Sequence, residues 1–117
     1  MGKINLNVKY CLENKDYEYN IKGIYQNNII KYFVDSKMLL DKEKIVLTRI
    51  TSNEEIVFDF LNSNCLITDL KTKQKIGFKI NVLSLINKEN YFLVLYEIEN
   101  NKFKIEINIK GDLKWKS

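Results

Sequence analysis

The chain has no histidine and no proline, and it has four glycines and two cysteines in 117 residues. Without histidine it lacks the commonest general base at neutral pH and the commonest zinc ligand. The glycines, at positions 2, 23, 77 and 111, are too scattered to form a phosphate-cradling loop. Cys11 and Cys65 stand far apart with no Cys-x-x-Cys spacing, so neither a zinc site nor any other cofactor is expected. Two free thiols in a reducing compartment are the expectation. No apolar run approaches the ~20 residues that span a bilayer. The first residues, Met1-Gly2-Lys3-Ile4-Asn5, alternate at once and show no secretory leader, and there is no Asn-x-Ser/Thr acceptor, so a cytoplasmic protein is expected.

What is present is ordinary for one globular domain: 45% hydrophobic and 29% charged residues. Alanine is missing too, and Lys, Asn and Ile are abundant, a bias that follows from A/T-rich codons as readily as from function. The 19 basic residues exceed the 15 acidic ones by a net +4, spread along the chain without a dense block. Nucleic-acid binding is therefore permitted but not indicated.

The strongest signal is a period of two. Phe103, Ile105, Ile107 and Ile109 alternate with Lys102, Lys104, Glu106, Asn108 and Lys110, and Ile4, Leu6, Val8, Tyr10 and Leu12 repeat the beat near the start. That is the pattern of strands with one dry and one wet face. Further runs follow near 17–25, 29–35, 37–41, 44–50, 55–61, 65–70, 76–82 and 91–98, joined by short polar turns such as Glu13–Asp16, Gln26–Asn28, Asp41–Glu43 and Asn100-Asn101. Residues 83–86 are apolar on both sides and allow a short helical turn. Such spacing cannot hold the crossovers that parallel neighbours need. The expectation is an all-β antiparallel meander of about eight to ten strands that closes into a barrel over residues 1–112, followed by a tail at 113–117. Gly23, on the apolar side of its strand, marks a bulge, a bend or a close approach by another backbone.

Gly23-Ile24-Tyr25, Tyr32, Val46-Leu47-Thr48-Arg49, Lys71-Thr72 and Tyr96-Glu97-Ile98 follow one another along the chain. That order of landmarks resembles an uncharacterised bacterial family, the YwiB-like proteins. Where that family has glycine after the arginine, this chain has Ile50-Thr51-Ser52. The resemblance implies a calycin-like (lipocalin-like) β-barrel, related in fold to lipocalins and fatty-acid-binding proteins. It implies no activity, since a fold does not specify one.

Arg49 is the only arginine and shares a strand face with Ile45 and Leu47. On the barrel interior it either grips an anionic headgroup through paired hydrogen bonds or is neutralised by a carboxylate such as Glu97, Asp59 or Glu18; a position on the rim is the third reading. The strand tyrosines are foremost core fillers, and in a partly polar interior Tyr25, Tyr32 and Tyr96 join Arg49 as candidate ligand contacts. Trp115 with Lys110, Lys114 and Lys116 reads as a lid or tail before it reads as a membrane or nucleic-acid contact. Charges in the turns, such as Asp41-Lys42-Glu43, are read as solvated. No spacing of carboxylates or tyrosines points to catalysis. Three functional readings follow: a barrel that binds a small, partly apolar or anionic ligand without chemistry, a filled barrel serving as a protein-interaction module, and a weak binder of RNA or single strands.

Overall fold

The computed structural model describes residues 2–112, with side chains through Lys110; the tail at 113–117, with Trp115, lies outside the described residues. Eleven strands follow in order: β1 Gly2–Leu12, β2 Lys15–Gln26, β3 Ile29–Phe33, β4 Lys37–Asp41, β5 Val46–Ile50, β6 Glu54–Asp59, β7 Asn64–Asp69, β8 Lys75–Lys79, β9 Asn81–Lys88, β10 Tyr91–Ile98 and β11 Asn101–Asp112. They form one antiparallel sheet in the order β8-β7-β6-β5-β4-β3-β2-β1-β11-β10-β9, rolled into a nearly closed barrel. The alternating residues named above face inward. Ile4, Leu6 and Val8 of β1 meet Ile105 and Ile107 of β11, Phe92, Val94 and Tyr96 of β10, and Leu40 and Leu47 of β4 and β5 in one core.

Three hairpins turn on two residues with positive φ: Glu13-Asn14 (50° and 69°), Asn27-Asn28 (54° and 66°) and Glu99-Asn100 (49° and 70°). This type I′ geometry matches the twist of the flanking strands and suits Asn. The first turn is thus shorter than the expected Glu13–Asp16 connection, because Leu12 already pairs with Lys15. The last sits one residue earlier than Asn100-Asn101, because Ile98 pairs with Asn101.

Residues 83–86 are not a helical turn. They belong to β9, which pairs with β10 from Tyr91↔Lys88 to Glu97↔Asn81. The run expected at 76–82 breaks at buried Ile80, whose N–H donates to the Ser63 carbonyl at 2.9 Å. Before it the chain pairs with β7, after it with β10. One residue therefore joins the two outermost strands of the sheet, and that covalent link is possible only because the sheet rolls until its edges meet.

The wall parts at one further place. β2 pairs with β3 only through Ile24↔Lys31, Tyr25↔Ile30 and Gln26↔Ile29. From Lys15 to Gly23 it keeps β1 as its only ladder partner among the described residues. The parting point is Gly23, where a Cβ would stand 2.7 Å from the Lys31 carbonyl oxygen and 2.9 Å from Leu6 Cδ1. Of the three roles a strand glycine can have, this one is close approach by a neighbouring backbone.

The other end of the barrel is tied shut. Lys42 Nζ donates to Asn87 Oδ1 at 2.7 Å and to the Lys88 carbonyl at 2.6 Å, while Asn87 Nδ2 donates back to the Lys42 carbonyl at 2.7 Å. These bonds bridge the β4–β5 and β9–β10 turns. Lys42 is buried, contrary to the solvated turn charge expected of it, and desolvation holds its ammonium below the usual lysine range. It is retained there because the Asn87 side-chain oxygen and the Lys88 carbonyl at the end of β9 meet its ammonium.

Candidate functional site

Where β2 leaves β3, the barrel holds a half-open cavity of about 240 Å³. Its walls come from alternation along each strand. β1 supplies Tyr10 and Leu12, the free half of β2 supplies Tyr17 and Tyr19, and β5 supplies Leu47 and Arg49. Met38, Phe58, Tyr96 and Ile105 complete the apolar lining, and Asp35 stands at the rim. The two-residue Glu13-Asn14 turn fixes Tyr10 opposite Tyr17. Tyr19 then meets Tyr10 edge to face, with ring centroids 6.0 Å apart. Tyr96 is held by Phe58, Phe60 and Phe103 at 5.3–5.7 Å.

Arg49 stands between Met38 and Ile56 in the register of β4, β5 and β6, on the face expected of it. Its partner is none of Glu97, Asp59 and Glu18. Arg49 Nε donates to Ser36 Oγ at 2.9 Å, and Ser36 Oγ donates to Asp35 Oδ1 at 3.1 Å. Asp35 Oδ2 lies 3.6 Å from Arg49 Nη2, with side-chain exposures of 65% and 39%. A pair so open and so long is worth at most a few tenths of a kcal/mol up to about 1. The three carboxylates named as alternatives are engaged elsewhere: Glu18 accepts from Asn7, Asp59 from Asn62 and Glu97 from Asn81. They sit at outward or turn positions, which periodicity alone could not match with Arg49 across the barrel. Among the described residues, most of the guanidinium N–H groups make no hydrogen bond and remain open to another acceptor.

Deeper in, the hydroxyls of Tyr10 and Tyr32 are buried without a hydrogen-bond partner among the described residues. They are neighbours close enough to perturb each other's ionisation, but their geometry falls short of a hydrogen bond. Burial pushes Tyr10 up to about 12 and lifts Tyr32 well above the ordinary tyrosine value. Tyr96 is raised for the same reason. A buried polar group without a partner costs about 1–3 kcal/mol, so the fold carries this pair at a loss. Replacing Tyr32 by Phe should therefore stabilise the ligand-free protein by about 1 kcal/mol, or about 4 °C in Tm for a domain of this size. A thermal melt that moves downward would mean the hydroxyl has a partner after all.

Three of the four sequence candidates come together: Arg49 and Tyr96 line the cavity, and Tyr32 lies behind Tyr10. Tyr25 does not join them. It pairs with Gly2, eight positions along β1 from Tyr10, and stands beside Lys42, Asn87 and Glu89 at the closed end. Its hydroxyl is raised by burial. Tyr10, Tyr17, Tyr19, Asp35 and Ser36 are the contributors that sequence reasoning missed. A β1–β2 hairpin was a readable signal that Tyr10 faces a tyrosine of β2, although the expected Glu13–Asp16 turn would set it against Tyr19 and not Tyr17; Asp35-Ser36 lies in the β3–β4 connection and gave no signal.

Both cysteines are free, Cys11 half-buried on the outer face and Cys65 in the core, where burial pushes its thiol up to about 11. Among the described residues no group of acidic or thiol side chains is placed to hold a metal ion, and no helix is long and apolar enough to cross a membrane. No protein-family model, curated protein or solved structure matches this chain.

Proposed function

We propose that this protein binds a small, partly apolar molecule in the cavity beside β2 and holds it without covalent chemistry. Arg49, Tyr10 and Tyr96 would make the contacts, with Tyr32 behind them. The observation that carries the reading is the pair of buried hydroxyls without partners next to an apolar hollow. In a core selected for packing alone, two phenylalanines would serve better. The wall opening between β2 and the β3–β4 connection gives a route in, and the Lys42–Asn87 bonds tie the turns together at the other end. This is how a member of a calycin-like class would act, and the motif order shared with the YwiB-like proteins supports that kinship.

Native mass spectrometry of gently purified protein tests it. The expected spectrum contains a second species heavier by the mass of one small molecule, lost on mild collisional activation. Apo protein alone across repeated preparations, with no shift in melting temperature on adding extract metabolites, would reject the reading. A second reading has one observation of its own: the Lys15–Lys22 edge of β2 is free to accept a strand from a protein partner. A stoichiometric protein complex in a pull-down, lost when that edge carries a proline, would favour it.

A further inference from the structure

We infer that the ligand of this cavity is a compact monocarboxylic acid with a ring or a branched chain. The inference rests on the binding reading above and adds the chemical class.

Three observations carry it. The charged group in the cavity wall offers protons: Arg49 has guanidinium N–H groups that make no hydrogen bond among the described residues, while the hydroxyls of Tyr10 and Tyr32 lie fully buried behind the wall. A ligand that completes the guanidinium must bring acceptors, and a carboxylate brings two oxygens with about four lone-pair sites. The one competing acceptor, Asp35, sits at the rim, 65% exposed and 3.6 Å from Arg49, so it yields to an anion held further in. The remaining lining, Leu47, Phe58 and Ile105 among it, is apolar and takes hydrocarbon. Volume sets the upper limit. At about 240 Å³ the cavity is below the ~300–1,000 Å³ of drug-sized sites and suits about ten non-hydrogen atoms. A long-chain fatty acid or a dinucleotide would have to extend beyond it through the open side.

In the bound state Arg49 meets the carboxylate through its Nη groups, keeping its Nε bond to Ser36.

The experiment is an NMR titration of the full chain with benzoate, phenylacetate and 3-methylbutanoate, each set against its neutral amide. At least one acid should bind with shifts gathered on Tyr10, Asp35, Arg49 and Phe58, and about 10- to 100-fold more tightly than its amide, the range for a charge-assisted hydrogen bond. Arg49→Met should abolish that preference, and Arg49→Lys should keep part of it. Amides binding as tightly as acids would overturn the carboxylate assignment and leave the cavity's binding role standing. No binding by any of the six compounds would overturn the assignment as well, and with an empty native mass spectrum it would end the binding role too.

Discussion

Above pH 10 the barrel should unfold steeply, and its buried tyrosines should ionise only as it does. Unfolded tyrosines titrate near 10. In the fold, burial pushes Tyr10 up to about 12, Tyr32 well above its ordinary value, and Tyr96 in the same direction. The native state then holds protons that the unfolded state has released, so stability is full below pH 10 and falls as pH rises from 10 through 12. Each such tyrosine costs about 1.4 kcal/mol per pH unit in that window, and three together roughly 4 kcal/mol per unit. Two units remove about 8 kcal/mol, which exhausts the lower half of the ~5–15 kcal/mol of a typical domain. Lys42 acts with the opposite sign. Its lowered value makes stability rise with pH up to 10.5, a gain complete before most of the tyrosine loss. The check is a joint titration by phenolate absorbance and circular dichroism: a sharp late phase should coincide with loss of strand signal. All seven tyrosines ionising near pH 10 in an intact fold would contradict it.

Gly23→Val should be the most damaging single substitution of a small residue. The new Cβ would meet the Lys31 carbonyl at 2.7 Å and Leu6 Cδ1 at 2.9 Å. Lys31 cannot give way, because it is paired on one side with Ile24 and on the other with Leu39. Leu6 is 1% exposed and packed in the core. Overpacking of this kind costs about 3 kcal/mol, roughly 10 °C or more in Tm. Gly77→Ala is the control. Its nearest neighbours lie at 3.8 Å, so it should change Tm by no more than about 2 °C in either direction. Urea melts of both variants separate the cases, and equal midpoints would show that the β2–β3 crossing can relax.

The reach of sequence reasoning follows from how local each signal is. Alternation such as Ile4, Leu6, Val8 and Tyr10 is written residue by residue, so the all-β assignment, most strand positions and the inward face of Arg49 were legible. The break at Ile80 was not, because it is defined by a change of partner from β7 to β10, and no local pattern records a partner. For the same reason β9 looked ambiguous: its apolar residues serve both faces at the edge of the roll. The site divides along the same line. Arg49, Tyr32 and Tyr96 could be named from composition and face. Their separation from Tyr25, and the choice of Asp35 and Ser36 over Glu18, Asp59 and Glu97, depended on register across the barrel.

The position of β1 between β2 and β11 governs how the molecule can be made. Its hairpin with β2 forms locally, but Asn108 Nδ2 reaches back 101 residues to Asn7 Oδ1, and Val8 pairs with Ile107. Half of the ladder on β1 therefore waits until β11 has left the ribosome, and closure is a late, non-local event on the millisecond-to-second scale of β topologies. During synthesis the β1–β2 hairpin stands with one side uncovered, and Lys3, Lys9, Lys15 and Lys22 along it supply the repulsion that keeps nascent chains apart.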